Sequence, residues 1–196
     1  MQIRNIYPCA LGTAFNPFLA KQLLPICRNI LQDEEKLSPY LGYKSTYDPA
    51  RSLDDMIDVP KELLNFKEFA YKECVNYLNQ LGYMTDVMNL EIQLAVNKME
   101  YGDSHQTHVH PGVLVTGTFY LSVPTGSSPL YVADPRTLKQ MNTTPMAFET
   151  DYTADIIDID IKEGTLVLME GYMGHGVRKN LSEERIVLIF NLVDKR

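Results

Sequence analysis

The second half of the chain consists of short segments in which apolar residues alternate with polar or small ones, and this pattern constrains the fold most. Leu90, Ile92, Leu94 and Val96 alternate in this way, and the stretch VLVTGTFYLSV repeats the pattern. Alternation of this kind is typical of β-strands with one buried face. Further short apolar segments, with glycine and proline between them, follow at 130–132, 157–161, 165–169 and 185–193. Many short strands separated by turn residues predict an all-β sandwich, barrel or jelly roll.

The first half contains two segments with helical periodicity. Asn16 and Pro17 predict a helix start, with asparagine as the capping residue and proline at the first helical position. Pro25 predicts a kink within that helix. A second helix is predicted to begin near Pro60 and to stop at Gly82. Its predicted buried face consists of Leu63, Phe66, Ala70, Cys74, Tyr77 and Leu81.

These patterns predict a mainly β fold with flanking helices, in which the N-terminal helices pack on one sheet. The length of 196 residues suits a single domain over residues 1–196. Residues 1–85 are expected to be mostly helical, and residues 86–196 to form the β core. The segment from Asp134 to Asp155 shows little pattern, and a loop of that length is usually functional or disordered.

The composition excludes several classes of protein. The net charge of −7 and the pI near 5.1 disfavour a non-specific nucleic-acid binder, which needs a basic face. No apolar run approaches the ~20 residues that a membrane helix requires, and the N-terminus lacks the apolar core of a signal peptide. We therefore expect a cytoplasmic protein, in the host cytoplasm if the source is viral.

The cysteines do not predict a disulfide framework. Cys9, Cys27 and Cys74 are odd in number and include no close pair. They are expected to be small buried hydrophobic residues of a protein in a reducing compartment.

The four histidines of the chain fall in two places. His105, His108 and His110 lie in SHQTHVHPG, and His175 lies in GYMGHGVRK. His108 and His110 are two residues apart, so on an extended chain their side chains point to the same face. With His175 as a third ligand they would leave open coordination positions, as catalytic metal sites require, and imidazole suits Fe, Zn, Cu and Ni. The alternative is a set of hydrogen-bonded loop histidines without a metal, and His105 is expected to assist the ligands or to take no part.

Arg185 opens the apolar segment RIVLIFNLV, ten residues after His175. Burying an arginine side chain costs free energy unless an anion compensates its charge, and a guanidinium binds a carboxylate through two parallel hydrogen bonds, in a bidentate arrangement. Arg185 therefore predicts an anionic co-substrate, with a salt bridge to an acidic residue of the chain as the alternative.

With these motifs, the second half resembles the Fe(II)- and 2-oxoglutarate-dependent oxygenases. Their double-stranded β-helix carries H-x-D/E, then a distal histidine, then an arginine or lysine. The likeness is strongest to a bacterial and phage branch with the pattern N…HxHP…GxxY…DPR…H…R. That pattern is matched in order by Asn97, His108, His110, Pro111, Gly117, Tyr120, Asp134, Pro135, Arg136, His175 and Arg185. The resemblance covers residues 60 to 193, and residues 1–59 carry no matching motif.

The resemblance implies a double-stranded β-helix, or jelly roll, and a complete set of roles. It implies that Fe(II) is held by His108, His110 and His175, which are also the catalytic residues. The residues implied for the co-substrate 2-oxoglutarate are Arg185, Tyr120, Thr116 and Asn97. The implied activity is hydroxylation of an unactivated C–H bond with release of succinate and CO2, with ascorbate as a reductant. The prolyl-hydroxylase-like strand at 115–121 implies a peptidyl or amino-acid-like substrate, so the partner is a small molecule or a peptide.

Two positions depart from the common family pattern. His110 stands where the carboxylate ligand is usual, which would leave the iron centre one unit more positive. Asp134 is an alternative carboxylate ligand, with His110 or His105 displaced. Met169-Glu170 replaces a frequent Phe-Pro pair, which concerns packing. Asp134 could also act with Arg136 to orient a polar substrate, or the two could form a local pair in a turn.

Two other classes fit in part. Small cupin barrels carry G-x5-H-x-H, and Gly102 lies six residues before His108. The cupin glutamate is missing, because Leu114 and Val115 occupy its expected positions, and Arg185 has no role in a cupin. A cupin-type dioxygenase that does not use 2-oxoglutarate and a non-catalytic jelly-roll binding module remain as alternatives.

Overall fold

The computed structural model describes residues 8–39, 41–136, 145–150 and 152–196. Residues 1–7, residue 40 and two parts of the predicted long loop, 137–144 and 151, lie outside the described residues. Within the described residues the chain forms two α-helices, α1 (Pro17–Ile30) and α2 (Lys61–Gln80). The strands are β1 (Leu11–Phe15), β2 (Lys44–Ser45), β3 (Leu90–Met99), β4 (His105–His108), β5 (Val115–Ser122), β6 (Leu130–Ala133), β7 (Ile156–Ile159), β8 (Thr165–Glu170), β9 (His175–Val177) and β10 (Arg185–Asp194).

The strands form two antiparallel sheets. The larger sheet has the order β1-β8-β5-β10-β3-β2, and the smaller sheet has the order β4-β9-β6-β7. This arrangement is the double-stranded β-helix that the sequence predicted, with the helices packed on the larger sheet. Edge strands β1 and β2 come from the N-terminal part of the chain.

Both helices begin where the sequence predicted. The Asn16 side chain accepts a hydrogen bond from the Leu19 amide at 3.0 Å, and α1 continues through Pro25. One residue of the predicted buried face of α2 was wrong: Leu81 is 38% exposed, and Leu78 is buried instead. The physical reason is that α2 ends at Gln80, so Leu81 lies at its C-terminal cap and leaves the buried face.

Successive side chains of the central strands point to opposite faces of the larger sheet, so the buried apolar residues form two clusters, one on each face. On β10, Ile186, Leu188 and Phe190 face the helices, where Phe66 of α2 packs against Phe119 and Phe190 at ring distances of 5.1 and 5.9 Å. Residues of the opposite parity face the space between the two sheets, where a second cluster includes Val187. The strand that carries Arg185 is therefore buried on both faces.

The cysteines are free, but only two of them are buried. Cys27 and Cys74 lie in the helix-side cluster, and burial raises the pKa of Cys27 to about 12. Cys9 is exposed, so the expectation of burial was wrong for this residue, which precedes β1 at the edge of the larger sheet. Among the described residues, no helix is long and apolar enough to cross a membrane.

Candidate active site

The structure brings His108, His110 and His175 together. His108 ends β4, His175 begins β9, and the two residues are paired across these strands. His110 follows two residues after His108, and the hydrogen bond from its amide to the Gly171 carbonyl, 2.8 Å long, fixes its backbone. One ligand atom from each ring lies within 4.8 Å of the others, and the Nε2 atoms of His108 and His110 are 3.1 Å apart. Among the His, Cys, Asp and Glu side chains of the described residues, these three form the group whose ligand atoms lie close enough together to bind one metal ion.

Each of these three imidazole rings has a hydrogen-bond partner that orients it. Nδ1 of His108 lies 2.9 Å from the Gln106 carbonyl oxygen, and Nδ1 of His175 lies 2.9 Å from that of Met173. The Asn191 side chain contacts His110 through a hydrogen bond. Such partners fix the ring and its tautomer and leave Nε2 free to bind a metal.

The burial of His110 and His175 favours the neutral form of both rings, which is the form that binds metals. Burial lowers the pKa of His110 to about 3 and that of His175 to about 4. Burial, with the neighbouring histidines and Arg185, also lowers the pKa of His105 to about 4. Neutral imidazoles with convergent Nε2 atoms are a donor set that fits Fe(II).

Arg185 lies in the same cavity and is 2% exposed. Its Nε donates to the Ser128 carbonyl oxygen at 3.0 Å, and its Nη2 lies 3.5 Å from the Tyr120 hydroxyl. Within the described residues it forms no salt bridge, so the structure does not support the alternative of an internal ion pair. A buried guanidinium with only neutral neighbours is the arrangement expected of an anion site.

The other predicted co-substrate residues take different places. Thr116 lines the cavity, whereas Tyr120 is fully buried beside Arg185, and burial raises the pKa of its phenol. Asn97 also lines the cavity, but its amide is engaged: Oδ1 accepts from Ser45 Oγ at 2.6 Å, and Nδ2 lies 3.5 Å from Tyr43 Oη.

The cavity between the sheets has a volume of about 450 Å³. Sequence reasoning missed several of its walls, in particular Leu41, Tyr43, Tyr47 and Pro49 from the N-terminal segment and Gln93 from β3. Strand parity was an available signal for Gln93, because it shares its face with Asn97. No periodicity marked the segment at 41–49.

Asp134 is engaged in a local contact. Its carboxylate forms an ion pair with Arg136 at 2.7 Å and also accepts a hydrogen bond from the backbone amide of Arg136. The predicted local turn pair is present, and Asp134 is not part of the histidine set that converges on the metal-sized space.

A family model matches the part of the chain that carries this site. Residues 93–191 match the family described as "Putative 2OG-Fe(II) oxygenase". The chain belongs to this family. The match spans the histidine set and Arg185, and it identifies the protein as an Fe(II)- and 2-oxoglutarate-dependent oxygenase, a dioxygenase. The cupin and the non-catalytic module are thereby set aside.

Solved structures of the same fold include several prolyl hydroxylases. A Pseudomonas putida prolyl-4-hydroxylase is 16% identical, with a TM-score of 0.67 and coverage of 96% of this chain and 94% of that one. The viral collagen prolyl hydroxylase of Paramecium Bursaria Chlorella virus-1, in its 2OG complex, is 13% identical, with a TM-score of 0.58 and coverage of 95% and 96%. A Trichoplax adhaerens prolyl hydroxylase bound to a hypoxia inducible factor peptide fragment is 14% identical, with a TM-score of 0.61 and coverage of 94% and 84%. At these identities the likeness establishes the fold. A comparison with curated proteins finds no match.

Proposed function

We propose that His108, His110 and His175 bind the Fe(II) of this oxygenase and that Arg185 binds the far carboxylate of 2-oxoglutarate. The observation that carries the proposal is the presence, in one cavity, of three convergent imidazoles and a buried guanidinium without a salt bridge among the described residues. When bound, iron and 2-oxoglutarate supply the oxidising chemistry, in which O2, 2-oxoglutarate and a C–H bond yield succinate, CO2 and an alcohol.

The residues of the chain orient and enclose these partners. Carbonyl oxygens behind His108 and His175 hold their Nε2 atoms toward the metal space. Ser128 fixes the Arg185 guanidinium through Nε, and the terminal nitrogens make only long contacts, to Met99 Sδ at 3.8 Å and to the Tyr120 hydroxyl at 3.5 Å, so they can bind a carboxylate. The Tyr120 phenol stays protonated and adjoins the same guanidinium, so it can donate to the bound anion.

The substrate that we propose is a peptidyl or amino-acid-like group without charge. Among the described residues that line the cavity, Arg185 is the one charged side chain, and the co-substrate occupies it. The remaining walls are apolar, aromatic, amide-bearing or hydroxyl-bearing and carry no charge, as at Val113, Tyr47, Gln93 and Thr118. A neutral side chain enters such a space without an uncompensated charge. The peptide complex of the Trichoplax prolyl hydroxylase supports a peptide as the carrier of this group.

We also propose a cytoplasmic location. The three cysteines are free, which fits a reducing compartment.

The role of Arg185 is tested with the variant Arg185→Gln and two 2-oxo acids. 2-Oxovalerate has the same carbon chain as 2-oxoglutarate but lacks the far carboxylate. For 2-oxoglutarate the dissociation constant should rise at least about thirtyfold, since losing a buried charge pair costs ~2 kcal/mol or more. For 2-oxovalerate it should stay the same. Equal losses for both acids, or none for 2-oxoglutarate, would refute the assignment.

The substrate class is tested with peptides from a digested cell extract. Addition of one oxygen atom, dependent on 2-oxoglutarate and absent with His175→Ala, should fall on neutral side chains when measured by mass spectrometry. Modification confined to lysine, arginine or acidic side chains would contradict the proposed substrate class.

A further inference from the structure

A chain of hydrogen bonds runs from the N-terminal segment into the active-site cavity. The Tyr47 amide donates to Ser45 Oγ at 2.9 Å, and Ser45 Oγ donates to Asn97 Oδ1 at 2.6 Å. Asn97 Nδ2 lies 3.5 Å from Tyr43 Oη, which lies 2.9 Å from Nδ1 of His105. Ser45, Asn97 and Tyr43 are all buried.

The direction of these bonds determines the tautomer of His105. Because Asn97 Oδ1 accepts from Ser45, the amide nitrogen of Asn97 faces the Tyr43 oxygen and can only donate to it. Among the described residues, Nδ1 of His105 is the acceptor within hydrogen-bond distance of the Tyr43 hydroxyl, so the phenol donates its proton there. A neutral imidazole that accepts at Nδ1 carries its proton on Nε2.

The proton on Nε2 has no acceptor among the described residues, and the ring of His105 lines the active-site cavity. The ring stacks on His108 with a centroid distance of 4.1 Å and an interplanar angle of 18°. Nε2 therefore presents its proton to the cavity, where a ligand with an acceptor oxygen can take the last hydrogen bond of this network. The anion expected in this cavity is 2-oxoglutarate.

We propose that His105 is a further binding residue for 2-oxoglutarate, whose Nε2–H donates to the carboxylate at the metal end of the co-substrate. This inference rests on the proposed function. The stacking on His108 places the ring at the metal end, whereas Arg185 serves the far carboxylate. The N-terminal segment, through Tyr43 and Ser45, then has the task of fixing the His105 tautomer.

The test measures binding of 2-oxoglutarate and 2-oxovalerate to the Fe(II)-loaded protein without oxygen, by calorimetry. His105→Phe keeps a flat ring against His108 but removes the donor, and Tyr43→Phe removes only the hydroxyl that fixes the tautomer. The matched control is Tyr77→Phe, because the Tyr77 hydroxyl is also buried and donates to the Ala10 carbonyl oxygen at 2.9 Å, on the helix side of the larger sheet. Iron content is measured for each variant.

We expect His105→Phe to raise the dissociation constant about tenfold or more, as for a hydrogen bond to a charged group. Tyr43→Phe should raise it about two- to tenfold, and Tyr77→Phe should leave it unchanged. The loss should be the same for both 2-oxo acids, because both keep the metal-end carboxylate.

Unchanged binding of 2-oxoglutarate in His105→Phe or Tyr43→Phe would overturn the inference, and so would a loss of affinity confined to 2-oxoglutarate. A variant that contains less iron, but whose iron-loaded fraction binds 2-oxoglutarate as tightly as the wild type, would overturn it as well. If His105→Phe does not fold, Tyr43→Phe alone decides. A failure of the proposed function itself would look different, because the iron-loaded wild-type protein would then bind neither of the two 2-oxo acids.

Discussion

At the scale of single residues, His110 sets the charge of the site. It stands where a carboxylate ligand is common, and Asn191 supports its ring. We predict that His110→Asp retains iron but binds 2-oxoglutarate roughly tenfold more weakly, because one unit of positive charge near the anion is worth on the order of 1 kcal/mol. Iron analysis and calorimetric titration measure both quantities. Unchanged or tighter binding of 2-oxoglutarate would show that the charge of the third ligand does not matter.

The sequence predicted the convergent residues of the site better than the residues that support them. The spacing of His108 and His110 and the parity of Arg185 on its strand are local patterns, which a sequence displays directly. The contact of Tyr43 with His105 joins residues 62 positions apart, and no local pattern encodes it. The role expected for Asn97 shows the same limit, because its position on the cavity face was predictable but its bonds to Ser45 and Tyr43 were not.

At the scale of elements, the pair β4–β9 positions the metal ligands. A Cβ atom at Gly176 would lie 2.5 Å from the Tyr131 hydroxyl and 2.6 Å from the His105 carbonyl oxygen. Because that carbonyl belongs to the backbone of β4, Gly176→Ala must push β4 away from β9 and separate His108 from His175. We predict a loss of iron affinity of about 10- to 100-fold, the range for losing support of a metal ligand.

Gly174→Ala is the control for this prediction. A Cβ atom there would meet only side-chain carbons of Thr107 and Ala133, at 3.5 and 3.7 Å, which is ordinary contact. Its iron affinity, measured by titration beside that of Gly176→Ala, should match the wild type. Equal affinities in both variants would mean that the spacing of β4 and β9 does not control the site.

The same two strands show why some elements were not predictable. Strands β3 and β5 alternate in polarity over many residues and β10 is a continuous apolar segment, so the sequence revealed each of them. Strand β4 reads HQTH and is half exposed, and β9 has three residues. Such segments become strands because the sheet pairs them, not because their sequences favour it.

At the scale of the whole molecule, the helices stabilise the larger sheet from the side opposite the active site. We predict that Phe66→Ala lowers the free energy of unfolding by about 3–5 kcal/mol, because it leaves a cavity against Phe119 and Phe190. Chemical denaturation measures this change. The affinity of the folded variant for 2-oxoglutarate should be unchanged, and a large loss would show that the helix layer also shapes the site.

The overall architecture was the most predictable level, since alternating strands and two amphipathic helices indicate a sandwich, barrel or jelly roll with one covered sheet, and the family resemblance implied the jelly roll. The contribution of residues 41–49 to the cavity was not predictable, because it depends on how an irregular segment crosses the completed sheets.

The most direct test is the formation of succinate from 2-oxoglutarate by the purified protein with Fe(II) and ascorbate in air. We predict that the wild-type protein forms succinate slowly without a prime substrate and that His175→Ala forms none. Equal succinate from both proteins, or none from an iron-loaded wild type, would contradict the assignment of this cavity as the active site of a 2-oxoglutarate-dependent oxygenase.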